Sequence, residues 1–318
     1  MEVASIDGQR ARFLATAENA DLPVVDAHHH FFDLAANDHP WLKGERLASF
    51  RYGDYSAICR DFMPADYDRA AASHLIVKTV LMEGEWNPAD PVGEARWASG
   101  LAAEAGRPNA IAAQIWLDRD DVGAVLGAYA GLPLVRSVRH KPKTTVRADH
   151  DGTFAAPGSM RCPRWRDGYA RLAAAGLHFE LQAPWWHFAE AAELARDFPE
   201  TLIIVNHAGL PADRSAEGLK AWRAALDLLA RQPNVVMKVS GIGVPGEAWT
   251  LALQAPVITG TIAAFGAGRL AFASNYPVDS LCAPFATIFD VFKAATADLA
   301  PAARLALFHD NATNWYRL

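Results

Sequence analysis

The stretch Val24-Val25-Asp26-Ala27-His28-His29-His30-Phe31 decides the fold. It opens on β-branched apolar residues and ends in three imidazoles, as a buried parallel strand does when it delivers polar groups to one sheet edge. Seven further segments have the same form: 75–86, 110–117, 134–141, 178–184, 202–209, 234–243 and 270–278. Between them run Ala-, Leu- and Arg-rich stretches with helical spacing, at 92–105, 120–129, 165–175, 188–197, 216–230 and 257–265, and a last one at 300–316. Strands alternating with helices imply βα units and a parallel sheet. Eight of them imply an α/β fold closed as a (β/α)8 TIM barrel, expected to occupy 1–318 as a single domain. Two irregular segments, 32–62 and 142–163, interrupt the pattern. In a barrel both leave from the C-terminal ends of strands, the face that carries active sites, so both are expected to be binding loops.

Composition narrows the function. The chain has 318 residues, 51% hydrophobic and 21% charged, with 30 Lys plus Arg against 36 Asp plus Glu and a net charge of −6. That is globular, and too acidic overall for the basic footprint of a nucleic-acid binder. No apolar run approaches the ~20 residues of a transmembrane helix. The segment before Val24 is polar and lacks the apolar core of a secretory signal, so a cytoplasmic location is expected. Cys59, Cys162 and Cys282 are too few and too far apart for a disulfide framework or a C-x-x-C metal site. The expected partner is a small-molecule substrate, with no nucleic acid or membrane, and with homo-oligomer formation left open.

The strand ends carry the chemistry. Along a strand alternate residues share a face, so His28 and His30 point the same way, where they can grip a metal or a substrate oxyanion while Asp26 orients a ring nitrogen. The other segments end in Glu83 and Glu85, in Arg139, His140 and Lys141, in Gln182, in Asn206 and His207, in Lys238 and Ser240, and in Asn275 followed by Asp279. Polar groups repeated at the ends of nearly every strand form the pattern of a barrel active site. Arg139 suits a carboxylate or developing oxyanion, or an ion pair with Glu83. Trp41, Trp86, Trp185 and Trp186 can wall a pocket for a flat or sugar-like ligand. Gly241-Ile-Gly243-Val-Pro-Gly246 fits G-x-G-x-x-G, but Pro245 lies inside it and no clean helix follows, so it reads as a turn-rich loop.

VDAHHHF, HPWL, MEGEWNPADPVGE, VRHKP, LQAPWWH, VNHAGLPADRS, KVSGIG, FASNYPVD and the terminal FHDNATNWYRL together resemble the amidohydrolase-2 family of the amidohydrolase superfamily over nearly the whole chain. The likeness is to the branch that includes sugar-acid lactonases, sulfomuconolactone hydrolases and pyrone-dicarboxylate lactonase. The resemblance implies a TIM-barrel hydrolase that opens a lactone or related cyclic ester by attack of activated water. It assigns His28, His30 and His207 to the catalytic centre, and to one divalent metal such as Zn2+ where a metal is used; metal-free catalysis remains the other reading. The strand-eight aspartate of many members is Asn275 here, which leaves Asp279 or Glu83 as the general base. The strand-five histidine is Gln182. Arg139, His140, Gln182 and Lys238, with Trp86 and Trp185, are expected to bind the substrate. The competing expectations are a decarboxylase or lactone isomerase on the same barrel, or a barrel that lost its base and only binds a ligand.

Overall fold

The computed structural model describes residues 5–45, 47 and 50–318, so positions 46, 48 and 49 of the first long insert lie outside the described residues. All eight expected strands form: β1 Val24–His29, β2 Ile76–Met82, β3 Ala110–Gln114, β4 Val135–Arg139, β5 His178–Leu181, β6 Ile203–Val205, β7 Val235–Val239 and β8 Leu270–Phe272. They pair in sequence order, β1 to β8, and every pair is parallel. With intervening helices this is the expected (β/α)8 barrel. The strands are shorter than the apolar runs that announced them, because each run continues past its ladder into the site. The segment 75–86, for example, leaves the sheet at Met82, and Glu85 beyond it adopts a left-handed φ of 58°.

Two apolar layers form. The larger lies between sheet and helices and holds Trp165, Trp222, Phe179, Leu226 and Phe292. The smaller fills the barrel and holds Val25, Val80, Ile204, Val236 and Ala271, with Tyr316 beneath them. Of the helices outside the expected stretches, two flank β1 and its long insert. Ile6–Thr16 precedes β1, and its N-cap Ser5 accepts from the Gly8 N–H. Pro64–Ala71 follows the first insert and returns the chain to β2. The first is only weakly amphipathic and the second is only eight residues long; a cap and an N1 proline define their starts.

The first and last strands meet through a side chain. Between β1 and β8 the backbone contributes a bridge at His29 and Tyr276, with His30 N–H donating to Tyr276 O at 2.7 Å and Asn275 N–H to His28 O at 2.8 Å. Asp26 completes the seam. Its Oδ1 accepts from Ser274 N–H at 2.8 Å, and its Oδ2 from Ser274 Oγ at 2.6 Å and from the Tyr67 hydroxyl at 2.8 Å. Asp26 also takes a longer bond, 3.4 Å, from the His28 N–H. It therefore orients the backbone of the site; the expectation that it orients a histidine ring is corrected. Full burial pushes its carboxyl above the usual range, against the hydrogen bonds that draw it down.

Asp26→Ala leaves the Ser274 and Tyr67 donors buried without an acceptor, and should lower stability by about 3 kcal/mol in urea denaturation. Tyr67→Phe removes one donor only and should cost about 1 kcal/mol. Equal, negligible losses would show that the seam does not depend on Asp26.

Candidate active site

The C-terminal strand ends enclose a cavity of about 330 Å3, lined among others by His30, Arg51, Glu85, Arg139, Gln182, His207 and Asn275. Strand alternation places His28 and His30 on this side, their ring centroids 5.2 Å apart. His29 points to the opposite side and packs on Phe31 and Tyr67. The rings of His28 and His207 lie 4.6 Å apart. His30 donates from Nδ1 to Met82 O at 3.0 Å, which fixes its tautomer and leaves Nε2 as the lone-pair nitrogen. His207 Nδ1 is 3.0 Å from Ser240 Oγ, so Nε2 is the ring nitrogen left to the cavity. Both ring nitrogens of His28 are buried without a protein partner.

Burial is the first cause that drives all three imidazoles well below their usual pKa. Cations add to it: Lys238 for His28, Arg139 for His30, and Arg51 then Arg139 for His207. The site is therefore a set of neutral imidazoles beside fixed positive charge. Its backbone is unusual at the same points. Glu85, His207 and Asn275 end three different strands with φ of 58°, 59° and 53°. Left-handed non-glycine residues carry a conformational cost and gather where function holds them. Gly241, with φ 57°, explains the glycine-rich loop: a Cβ there would stand 2.5 Å from His207 Nδ1 and 2.6 Å from Arg51 Nη2. The first glycine of that loop gives room to two site residues.

Arg139 joins both readings offered for it. Its Nε donates to Glu83 Oε1, its Nη2 to Glu83 O at 2.7 Å, and its Nη1 to Gln182 Oε1 at 3.0 Å. Burial acts to raise the Glu83 carboxyl, but Arg139 and Lys141 hold it below its usual value. Glu83 is thus an anchored counter-ion and a poor proton acceptor. Asp279, the other expected base, lies behind the cavity wall. Its Oδ1 accepts from Asn275 Nδ2 at 2.7 Å and from the Tyr52 hydroxyl at 2.8 Å, with Arg51 Nη2 at 3.7 Å. Burial pushes its carboxyl up to about 6. Asp279 positions Asn275 and is not among the residues lining this cavity.

Four of the expected substrate-binding residues lie outside this cavity. Lys238 is fully buried inside the barrel, 2.8 Å from Glu180 Oε2, and burial draws its ammonium down to about 8. Asn206, Ser137 and Tyr316 complete the hydrogen bonding of Glu180, so this network belongs to the barrel interior. His140 and Trp86 line a neighbouring cavity of about 350 Å3. There His140 Nδ1 accepts from Leu117 N–H and Trp165 Nε1–H, and burial lowers its pKa to about 4. Trp185 is buried beneath Arg147, whose guanidinium carbon is 4.6 Å from its ring centroid. Sequence reasoning missed Arg51, Tyr52 and Ser274. Arg51 and Tyr52 sit in an insert without periodic cues, and Ser274 carries no motif of its own.

The ligand atoms of His28, His30 and His207 do not gather as a metal-holding trio. Among the described residues, the group of three whose ligand atoms lie within 4.8 Å of one another is His150, His187 and Glu190, outside this cavity. There Thr145 N–H donates to His187 Nε2 at 3.1 Å, so His187 Nδ1 carries the proton shared with Glu190 at 3.1 Å. His150 Nε2 meets the same Glu190 oxygen at 2.7 Å. The trio clasps the second long insert to helix Phe188–Asp197. In the reaction cavity the guanidinium groups of Arg51 and Arg139, with Glu83 and Asp279 already paired, suit an oxyanion.

Residues 25–318 match the Amidohydrolase family. The chain belongs to this amidohydrolase family. It is 36% identical over 300 residues to the y4mH protein of Sinorhizobium fredii, covering 94% of this chain and 100% of that one. It is 27% identical to the L-fucono-1,5-lactonase of Burkholderia ambifaria, covering 92% of this chain and 95% of that enzyme. A crystal structure of a Burkholderia multivorans amidohydrolase with bound zinc shares the fold, with a TM-score of 0.76 at 23% identity over 93% of this chain and 99% of that one. Among the described residues, no helix of this amidohydrolase is long and apolar enough to cross a membrane.

The raised Asp279 carboxyl has a cost that a neutral isostere removes. Between the ordinary 3.8 and the folded value of about 6, the native state holds a proton that the unfolded chain has released. Stability therefore falls as pH rises through that window, and the loss is complete above it. Asp279→Asn should be more stable than the parent at pH 7.5, by on the order of 2 kcal/mol, with no gain near pH 3.5. Denaturation curves at the two pH values check this; a variant destabilised at both would contradict it.

Proposed function

We propose that this amidohydrolase hydrolyses a lactone or related cyclic ester of a sugar acid or an aromatic-degradation acid. The observation that carries the reading is the meeting of His30 and His207 beside Arg139 at one cavity, with His28 packed behind them and all three held neutral by burial. The family membership and the near full-length similarity to an L-fucono-1,5-lactonase support the same reaction class.

In this reading the ring carbonyl sits between Arg139 and His30. Water attacks the carbonyl carbon, and His207 Nε2 takes its proton, in place of the Asp279 or Glu83 expected from the sequence. The tetrahedral oxyanion is stabilised by the Arg139 guanidinium, which Glu83 and Gln182 hold in place. The carbon–ring oxygen bond then breaks, and the His207 imidazolium returns the proton to the leaving oxygen. The product is the open-chain hydroxy acid. Asn275 stays oriented through Asp279 and keeps the His28–Asn275 backbone bond of the seam in register. No step runs through a metal, because the donor atoms in this cavity do not converge on one.

Acid release from a panel of sugar γ- and δ-lactones tests the proposal. His207→Asn suits the left-handed backbone and removes the proton acceptor. It should lower kcat by about 100-fold or more while its melting temperature stays within a few degrees. CO2 release in place of ring opening, or ligand binding with no turnover, would overturn the proposal. Activity should also survive chelator treatment; loss on chelation with recovery on Zn2+ would make the histidines ligands. The acid limb of kcat/KM should lie at or below about pH 6, since burial holds the imidazoles low and Asp279 titrates near that value.

A further inference from the structure

A smaller cavity of about 190 Å3 lies beside the reaction cavity, and Arg51 and Leu210 line both. Its other walls include Tyr52, Trp186, Ile242 and Pro245, so the enclosure is aromatic and aliphatic. Its second cation is Arg214. Arg214 Nη2 donates to Ile242 O at 2.5 Å and to Gln254 Oε1 at 3.3 Å. Its Nε and Nη1 are buried with no hydrogen-bond partner among the described residues. No carboxylate acts on it among the described residues, and burial draws the guanidinium down to about 10.

Two buried cations near the reaction cavity differ from Arg214 in having a carboxylate partner. Lys238 has Glu180 and Arg139 has Glu83, each at contact distance. A guanidinium kept from water with donors unpaired is costly, and the ordinary remedy is an anion. Carboxylates are the matching chemistry, because each oxygen accepts charge-assisted bonds from N–H. Size limits the rest of the ligand. A dry cavity of ~150 Å3 holds benzene, so about 190 Å3 accommodates one six-membered ring carrying a carboxylate.

We propose that this cavity is a binding site for a small monocarboxylate with a ring-shaped apolar body, the carboxylate on Arg214 and the ring among Tyr52, Trp186 and Ile242. The site stands apart from the proposed ester chemistry and does not rest on it. It touches that chemistry through Arg51, which is shared by both cavities and 3.7 Å from Asp279. A carboxylate bound here therefore sits where it can act on the reaction cavity through one side chain.

Isothermal titration of the full chain with benzoate tests the site, with benzamide as the neutral isostere. Benzoate should bind at least tenfold more tightly than benzamide. Arg214→Met should lose benzoate binding by tenfold or more while retaining the parent's circular dichroism spectrum. Ala212→Trp, which fills the cavity from its rim and keeps Arg214, should lose it as well. His207→Asn should bind benzoate within twofold of the parent, whether or not the protein proves to be a lactonase. Absent benzoate binding, equal binding of benzamide, full binding by Arg214→Met, or loss in His207→Asn alone would each overturn the proposal. The last outcome would place the ligand in the reaction cavity.

Discussion

The structure depends on one buried carboxyl in the seam between the first and last strands. A barrel of parallel strands has no hairpin to join its ends, so closure must be made by contacts between residues far apart in the chain. Here Asp26 gathers donors from Ser274, Tyr67 and the His28 backbone. The same few residues place His28, His30 and Asn275 at the mouth. Closure of the fold and alignment of the site are thus one event. The desolvation that raises the Asp26 carboxyl is the cost of seating an acceptor where a β-ladder alone would not bring these side chains together.

Electrostatics then decides what the site can do. Burial and neighbouring guanidinium groups keep the imidazoles neutral, and each acid near the cavity is already engaged. Glu83 holds Arg139, and Asp279 holds Asn275 and Tyr52. Glu85 at the rim is paired with Lys141, so the cavity faces the guanidinium groups of Arg51 and Arg139 and neutral ring nitrogen. Such a surface favours charge that develops as negative in a transition state, as an ester carbonyl oxygen does during attack by water. The left-handed residues Glu85, His207 and Asn275 belong to the same design, since each turns a side chain sharply at a strand end.

Much of this was legible in the sequence for a simple reason. Parallel strands buried on both faces read as continuous apolar runs, so all eight stood out, and the polar residues ending them marked the mouth. His28 and His30 followed from alternation alone. The remainder depends on partners distant in the chain. Nothing near Lys238 announces that Glu180 waits across the barrel, and nothing near Asp279 announces that Asn275 lies between it and the cavity. Arg51 comes from an insert with no periodicity, and it enters the site only because Gly241 leaves it room. His140 and Trp86 follow their strands as expected, yet they face the neighbouring cavity, because residues beyond the ladder no longer obey its alternation.

His28, His30 and His207 are held neutral by burial, and His30 keeps its lone pair on Nε2. Nitrogen-15 NMR of histidine-labelled protein, with His207→Asn for assignment, measures this directly. His28, His30 and His207 should show neutral-imidazole shifts from pH 8 down to pH 6, with the His30 proton on Nδ1. Protonation of any of the three at or above pH 6.5 would contradict it.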